Sequence, residues 1–230
     1  GLELKSQDAI KKLDYVFEAT KLIKADINVP LIGFTGSPWT LFVYLFYGES
    51  PKNRNEIHDY LKLNSSKTHS YLKAMTEVMH DYVHEQIQSG ANCIQIFDSW
   101  GGMLGREYEE FSLMYINELA ENIPANIPVI LFTRGKKIDS IIESTNIKCF
   151  NLDISDNIDH HIDKSIVIQG NFDPSKFHSD ADKLEQLATQ IFEKYKNKNN
   201  YIFNLGSGLT PDIDPEKVGI FLEKLSSLSS

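Results

Sequence analysis

Two hydrophobic patterns alternate along the chain, one typical of helices and one typical of buried strands. Apolar residues recur at helical spacing over residues 7–26, which predicts an amphipathic helix that ends before Pro30. Further helical patterns cover residues 53–63, 66–89 and about 107–122. Six short apolar runs each predict a strand: PLIGF (30–34), CIQIF (93–97), PVILF (128–132), IKCFNL (147–152), SIVIQ (165–169) and YIFNL (201–205).

This order of elements predicts an α/β fold. Strands that are apolar on both faces and separated by helices form parallel sheets that are covered on both sides. An open doubly wound sheet and part of a (β/α)8 barrel both satisfy the pattern. No linker, repeat or low-complexity tract divides the 230 residues, so we expect residues 1–230 to form a single domain. Ser37 and Pro38, directly after the first strand, predict the N-cap and first-turn proline of a helix.

The composition narrows the classes of function. Hydrophobic residues make up 41% and charged residues 24% of the chain, and the formal net charge of −9 argues against a general nucleic-acid binder. Cys93 and Cys149 lie in apolar runs and form no CxxC pair, so neither a disulfide framework nor a thiolate zinc site is indicated, and we expect both thiols to be buried and reduced. No apolar run is long enough to span a bilayer, and the N-terminus lacks a signal-peptide core. We therefore expect a soluble, cytoplasmic protein with no membrane partner.

The turns that follow the six strands are the candidates for ligand binding, because parallel α/β folds bind ligands at the carboxyl ends of their strands. Arg134 is the one arginine in these turns and is the candidate cation for an anionic ligand, although a solvated loop arginine is the alternative. A tight turn explains each glycine taken alone, but six such turns at one edge favour a site. The turns read TGSPWT (35–40), DSWGG (98–102), TRG (133–135), DISD (153–156), GNFDP (170–174) and GSGLTP (206–211).

Four segments of the chain resemble the uroporphyrinogen decarboxylase family. The sequence PLIGFTGSPWTL followed by VYLFYG is similar to that family's PLIGF[AS]GSPWTL followed by TYMVEG. The segments IQIFDSWGGML, VIQGNFDP and YIFNLGSGLTPDIDPEKV are similar to its IFDSWxG, LQGNLDP and FNLGHGxxPxTPPENV. The matches occur in the family's order from about residue 30 to residue 224, and several long motifs in register are far more specific than one short glycine motif.

The resemblance implies both a fold and an activity. The implied fold is a distorted (β/α)8 TIM barrel, of which this chain would hold about six of the eight strands. The implied substrate is a tetrapyrrole, a porphyrinogen with acetate and propionate arms, whose acetates lose CO2 to leave methyl groups as uroporphyrinogen becomes coproporphyrinogen in heme biosynthesis. The resemblance implies no metal and no organic cofactor, and it implies a possible homodimer.

Motif positions then nominate site residues. Tyr44 and Ser99 match the active-site tyrosine and serine of the family, and both hydroxyls can donate to a substrate carboxylate. Packing of Tyr44 among its apolar neighbours, and capping of a turn by Asp98, are the alternatives left open. We expect Trp39 and Phe172 to pack in the core rather than to stack against a ligand. The substrate-binding candidates are Phe34, Gly36, Asp98, Arg134, Asn204, Gly206 and Ser207.

The chain departs from the family pattern at two places. The histidine of FNLGHG is Ser207 here, and a serine cannot titrate near neutral pH. No RQAGR or FSDI segment occurs in the 230 residues, although the family places carboxylate-binding arginines and a pyrrole-binding aspartate there. We therefore expect little decarboxylation by this chain alone, which would be a truncated product or a shortened relative with an incomplete active site.

Two further functions remain open from the sequence. One is a non-catalytic relative that binds a porphyrinogen without converting it. The other is a methylcobamide:thiol methyltransferase, whose class shares the barrel but needs histidine and cysteine ligands for zinc at the strand ends. The turn that would carry the late cysteine is GSG here, and His80 and His84 lie midway along a predicted helix, where a solvated face is expected.

Overall fold

A computed structural model describes residues 6–49, 55–162 and 164–229 of the chain. It separates into two compact units, Gly1–Phe150 and Asn151–Ser230, which are described one at a time below. The prediction of one domain over residues 1–230 stays a prediction. None of the described helices combines the length and the apolar character that crossing a membrane requires.

All six predicted strands are present within one to three residues of their expected bounds. In the first unit β1 pairs with β2 and β2 with β3, and in the second unit β5 pairs with β6, every pair being parallel. The prediction of an α/β fold with parallel strands is therefore confirmed. The strands are β1 (Ile32–Gly36), β2 (Cys93–Asp98), β3 (Val129–Thr133), β4 (Cys149–Asn151), β5 (Val167–Gln169) and β6 (Tyr201–Ile202).

Two of the differences between the described and the predicted helices lie before β2. The single helix expected over 7–26 is broken at Lys12 and Leu13. The two helices expected near 53–63 and 66–89 form one long helix that bends at Asn64, where φ is −133° and the side chain donates to the Tyr60 carbonyl. The α-helices are α1 (Ser6–Lys11), α2 (Asp14–Asp26), α3 (Pro38–Tyr47), α4 (Asn55–Gln88), α5 (Met114–Glu121), α6 (Ala181–Tyr195) and α7 (Pro215–Ser229).

The junction between β1 and α3 has the predicted caps. The Ser37 side chain accepts a hydrogen bond from the Thr40 amide, and Pro38 occupies the first turn of the helix. Gly48 ends α3 in the left-handed region, with φ at 68°. These caps fix the point at which the chain leaves the carboxyl end of β1.

The segment after β2 is not the regular helix that the sequence predicts from about residue 107. Residues Gly101–Glu107 form 3-10 turns, Glu109–Leu113 form a π-helical turn, and only then does α5 begin. A π-helical turn holds one residue more than an α-helical turn of similar rise, and such turns are frequent at functional sites.

The free edge of β1 is closed by a side chain. The Gln86 amide of α4 accepts from the Phe34 N–H and donates to the Phe34 carbonyl, with both contacts at 3.0 Å. Gln86 is buried, and its amide therefore bonds to the backbone as a peptide group of a neighbouring strand would.

The second unit has its own aromatic core. Phe221 of α7 is fully buried and packs against Phe172, Phe177 and Phe203, with ring centroids 4.7, 5.6 and 5.5 Å away. The prediction that Phe172 has a packing role is confirmed. This cluster holds α7 next to the segments that follow β5 and β6.

Candidate functional site

Two loops of the first unit are joined by backbone hydrogen bonds at the carboxyl ends of their strands. We call residues 98–102 the β2 loop and residues 133–137 the β3 loop. The Arg134 N–H donates to the Asp98 carbonyl at 3.3 Å, and the Gly102 N–H donates to the Arg134 carbonyl at 3.2 Å. Ser99 and Arg134, both predicted site residues, therefore belong to one connected pair of loops.

Gly102 allows this close approach. A Cβ atom at residue 102 would lie 2.6 Å from the Arg134 carbonyl oxygen and 2.7 Å from that of Gly135. Both neighbours are backbone atoms, which cannot turn aside as a side chain can. The two loops can therefore be joined in this way only if residue 102 is glycine.

The predicted catalytic residues are accessible. Ser99 is half-buried, and Tyr44 on α3 keeps 43% of its surface exposed. The Tyr44 ring meets the Trp100 ring edge to face, with centroids 6.3 Å apart, so α3 and the β2 loop are in contact. Trp39 donates from its indole Nε1 to the Trp100 carbonyl at 3.0 Å. Trp39 itself is completely buried, which confirms its predicted packing role.

An aromatic row crosses the three strands of the first unit. The Phe34 and Phe97 rings lie edge to face at 6.0 Å, and the Phe97 and Phe132 rings lie 5.8 Å apart. Phe132 is buried, whereas Phe34 is 60% exposed. The Phe34 ring is therefore accessible, and its predicted role in substrate binding stays a prediction. Gly36, two residues further along β1, is half-buried.

Asp98 lies at the bottom of the β2 loop and has no exposed surface. Its Oδ1 accepts a hydrogen bond of 2.6 Å from the Ser37 hydroxyl, so the loop is held to the N-terminus of α3. The hydroxyls of Tyr108 and Ser112 approach the carboxylate from the segment after β2. We call these residues, together with Thr40, the Asp98 pocket.

The Asp98 pocket is incompletely hydrogen bonded. Asp98 Oδ2, Tyr108 Oη and Ser112 Oγ are all buried, and none of the three completes a well-oriented hydrogen bond. Oδ2 instead lies against Gly101, where an added Cβ would come within 1.9 Å of it. Buried polar atoms of this kind are rare in folded proteins and mark places where a proton or a ligand is exchanged or where strain is stored.

Burial is the largest influence on the pKa values of Asp98 and Tyr108 in this pocket. Loss of hydration raises the pKa of Asp98 from 3.8 to about 6, although the hydrogen bond from Ser37 and the nearby hydroxyls of Ser112, Tyr108 and Thr40 act in the opposite direction. Burial, with the Asp98 charge as the second cause, raises the pKa of Tyr108 well above its ordinary value. The predicted role of Asp98 as a direct substrate ligand stays a prediction, but its carboxylate is not at the surface of this structure.

Sequence reasoning missed three residues near the loops. Tyr108 and Ser112 are placed by the 3-10 and π-helical turns, which no periodicity in the sequence reveals. Lys136 of the β3 loop lies over the Tyr108 ring with its Nζ 4.8 Å from the ring centroid, a cation–π contact. The sequence TRGKK does signal that Arg134 is not the only cation of this loop.

In the second unit, side-chain amides connect three strand ends. Gln169 donates from Nε2 to the Asn151 Oδ1 at 2.6 Å, and Asn204 donates from Nδ2 to the same oxygen at 3.1 Å. Asn151 and Gln169 are buried, and Asn204 is half-buried. Asn204, a predicted substrate-binding residue, is thus fixed in place by its neighbours. The sequence gives no sign of this network beyond the presence of three amides.

Gly206 and Ser207, the other two predicted binding residues of this unit, follow β6. Gly206 is buried against Ile154, where an added Cβ would come within 2.6 Å, and Ser207 is half-buried. Nearby, the Asn171 amide donates to the carbonyls of Asp153 and Asp156 at 2.7 and 2.8 Å. The turns after β4 and β5 are therefore joined to each other.

Neither of the cysteines supports the methyltransferase alternative. Both are free; Cys149 is buried and Cys93 half-buried, whereas we expected both to be buried. Burial raises the pKa of Cys149 to about 12 and also raises that of Cys93, the reverse of what a thiolate ligand needs. Within the described residues, no three of the His, Cys, Asp and Glu side chains are grouped as a metal site requires. His80 and His84 stack on α4 with ring centroids 6.3 Å apart.

Solved structures with the same fold define the class of the protein. A methyltransferase from Methanosarcina mazei superimposes with a TM-score of 0.72 at 17% identity, covering 95% of this chain and 65% of that one. A B12-independent methionine synthase from Shewanella sp. W3-18-1 gives a TM-score of 0.63 at 11% identity, over 93% of this chain and 65% of that one. At these identities the likeness shows the fold alone. It confirms the predicted class, an α/β protein of the TIM-barrel type, with six strands among the residues that the structure describes.

Sequence comparison then identifies the family. The uroporphyrinogen decarboxylase family model matches residues 2–228, nearly the whole chain. A uroporphyrinogen decarboxylase of Francisella tularensis subsp. novicida (strain U112) is 37% identical over 99% of this chain, and one of Hydrogenovibrio crunogenus is 37% identical over 96%. The chain belongs to the uroporphyrinogen decarboxylase family. It spans 69% and 66% of the length of these two relatives.

Proposed function

We propose that the chain binds a porphyrinogen through its carboxylate arms and that the protein it represents removes CO2 from the acetate arms. The joined β2 and β3 loops carry this proposal. They place an exposed guanidinium, Arg134, and a half-buried hydroxyl, Ser99, on two segments that are fixed to each other by backbone hydrogen bonds. A planar guanidinium and a short hydroxyl are suited to a carboxylate, which accepts several hydrogen bonds at once.

Each residue of the first unit then has a distinct part in binding. Arg134 pairs with a carboxylate arm, and the hydroxyls of Ser99 and Tyr44 donate to carboxylate oxygens. Phe34 packs against the apolar part of the tetrapyrrole, and Gly36 leaves room beside it. The binding roles of Asn204, Gly206 and Ser207 in the second unit stay predictions from the sequence.

The reaction sets a second requirement beyond binding. Protonation of a pyrrole carbon makes the ring cationic, so that the ring can take up the electron pair released when CO2 leaves the acetate arm. An enzyme accelerates this step by stabilising the positive ring more than it stabilises the substrate. The low expected turnover of this chain alone stays a prediction, as do a cytoplasmic location, a homodimer and a place in heme biosynthesis.

Binding of uroporphyrin, the oxidised and fluorescent form of the ring, tests the proposal. Arg134→Ala is expected to weaken binding by about 10–150-fold, because a charge-assisted hydrogen bond contributes about 1.5–3 kcal/mol. Arg106→Ala, which removes another exposed arginine of the same unit, is the matched control and should leave the affinity unchanged. If Arg134→Ala binds uroporphyrin as tightly as the unaltered chain does, Arg134 is a solvated loop residue and not a ligand of the carboxylate arms.

A decarboxylation assay separates the enzyme from its non-catalytic alternative. Conversion of uroporphyrinogen to coproporphyrinogen is followed for the 230-residue chain, with and without an added N-terminal segment of a longer relative. Tight binding combined with no conversion in either case would favour the non-catalytic porphyrinogen-binding relative. Conversion by the chain alone would contradict the expectation of an incomplete active site.

A further inference from the structure

Asp98 is a buried acid that lacks a compensating cation. Among residues 6–49, 55–162 and 164–229, no lysine, arginine or histidine forms an ion pair with its carboxylate. The charge is supported instead by the Ser37 hydroxyl and by the N-terminus of α3, whose macrodipole favours a negative group. A carboxylate held in this way lies close to the balance between its charged and neutral forms.

A single hydroxyl hydrogen determines how the pocket is bonded. Ser37 Oγ lies 2.6 Å from Asp98 Oδ1 and 3.0 Å from Thr40 Oγ1, and its one hydrogen can be donated to only one of them. A charged Asp98 can only accept, so the hydrogen points to Asp98. A protonated Asp98 has a hydrogen of its own to donate, to Ser37 or to Tyr108, and Ser37 is then free to turn to Thr40. Protonation at Oδ1 therefore reverses the bond between α3 and the β2 loop, whereas protonation at Oδ2 weakens it by removing the charge of its acceptor.

The β2 loop transmits this change to Ser99. Ser99 lies between Asp98, whose side chain and carbonyl are both bonded, and Trp100, whose carbonyl accepts from Trp39. On the far side of the loop Asp98 Oδ2 is pressed against Gly101. A change at the carboxylate therefore acts on residue 98 itself and on Gly101, and Ser99 and Trp100 lie between these two residues.

We propose that Asp98 is a positioning residue that sets the conformation of the β2 loop, and with it the position of Ser99, according to whether its carboxylate carries a proton. This inference rests on the proposed function only in the claim that Ser99 meets the substrate. In this proposal Ser99 contacts the ligand. Asp98, which is buried, sets the position of Ser99 and does not contact the ligand itself. The charged form, bonded to Ser37, holds the loop in the conformation described here.

Few titratable groups face the carboxylate. From α3 it meets Ser37 and Thr40, and from the segment after β2 it meets Tyr108 and Ser112. Tyr108 stays protonated through the neutral range, because its pKa is raised. The Lys136 ammonium lies over the Tyr108 ring, on the segment after β3. The pocket therefore has one group that changes charge near pH 6, and that group is Asp98.

Trp100 lies in the β2 loop, and Trp39 donates a hydrogen bond to its carbonyl. These are the two tryptophans of the chain, so their fluorescence emission reports on the loop. We expect the tryptophan emission of the intact 230-residue chain, without porphyrin, to change with a midpoint at about pH 6. Asp98→Asn should abolish this transition while far-ultraviolet circular dichroism shows a folded protein. A transition that persists in folded Asp98→Asn, or the absence of any transition in the unaltered chain, would overturn the proposal.

Two further variants decide the question if Asp98→Asn does not fold. Ser37→Ala and Ser112→Ala each remove a hydroxyl that favours the charged carboxylate, so each should move the midpoint above that of the unaltered chain. Midpoints unchanged in both variants would overturn the proposal. His58→Gln is the control for a histidine titration, since His58 contacts Glu107 of the neighbouring segment, and it should keep the midpoint at about pH 6.

Uroporphyrin binding separates this inference from the proposed function. If Asp98 acts through Ser99, the affinity of the unaltered chain for uroporphyrin should fall as the pH is lowered through the loop transition. Ser99→Ala should make that affinity less dependent on pH. A loop transition assigned to Asp98 in a chain that binds no uroporphyrin would refute the proposed function and leave the loop control standing. Uroporphyrin binding together with a loop transition that does not depend on Asp98 would support the proposed function and refute the loop control.

Discussion

A methyl group added at residue 102 would meet the backbone of the β3 loop. In Gly102→Ala the new Cβ lies 2.6 Å from the Arg134 oxygen, 2.7 Å from the Gly135 oxygen and 2.8 Å from the Gly135 carbonyl carbon. Ordinary contact begins at 3.4 Å, so the two loops must separate by about 0.8 Å or distort. A movement of that size breaks the 3.2 Å hydrogen bond from the Gly102 N–H to Arg134.

The expected loss of stability follows from these two effects. Overpacking against atoms that cannot rotate away costs about 1–3 kcal/mol, and a lost backbone hydrogen bond costs about 1 kcal/mol. We therefore expect Gly102→Ala to lower the free energy of unfolding by about 2–4 kcal/mol. Because Arg134 moves with its loop, the same variant should also weaken uroporphyrin binding.

Urea unfolding followed by tryptophan emission measures this loss, since both tryptophans lie in the first unit. Gly36→Ala is the matched control: its Cβ would meet the Leu41 side chain at 3.3 Å, which can move, and the Thr40 side chain at an ordinary contact distance of 3.6 Å. A Gly102→Ala protein as stable as the Gly36→Ala protein would show that the two loops are not held together as described.

Three further outcomes are expected. Gln86→Ala should lower the free energy of unfolding by about 1–3 kcal/mol in the same urea experiment, because it removes both hydrogen bonds to the Phe34 backbone. Phe221→Ala should lower it by about 3–5 kcal/mol, measured by circular dichroism, because a fully buried ring is lost from the core of the second unit. Cys149 should resist alkylation in the folded protein at pH 8, as judged by mass spectrometry, because burial raises its pKa to about 12.

Each of these outcomes has a control within the chain. Gln88→Ala removes an exposed amide two residues from Gln86, and Leu222→Ala shortens an exposed side chain next to Phe221; both should change stability by less than about 0.5 kcal/mol. Cys93, which is half-buried, should be alkylated faster than Cys149. Equal losses within either pair, or faster alkylation of Cys149, would contradict the burial on which these predictions rest.

The strands were predictable because their physics is local. A run such as PVILF has no polar face to place in water, and β3 occupies Val129–Thr133, one residue from its predicted bounds. The N-cap of α3 was equally predictable from Ser37 and Pro38, whose chemistry acts over one turn. The bend in α4 was not, since nothing in the sequence around Asn64 shows that the helix continues through that residue.

The candidate site was predictable only where a family motif named it. Ser99 and Tyr44 were nominated by motif position, whereas the bond between Ser37 and Asp98 joins residues 61 positions apart and has no local signature. Tyr108 and Ser112 were missed because a regular helix was expected to begin near residue 107. A side chain that is functional only through a distant partner leaves no periodic trace in the sequence.

The π-helical turn at Glu109–Leu113 makes the Asp98 pocket sensitive to chain length as well as to residue type. Tyr108 precedes this turn and Ser112 lies within it, and both approach the same carboxylate. Loss of one of the three residues between Tyr108 and Ser112 would restore α-helical spacing and reduce the separation of the two residues from four positions to three. Relatives with a one-residue gap here would keep every residue type of the pocket yet lose its arrangement, so insertions and deletions are the changes to which this site is most exposed in evolution.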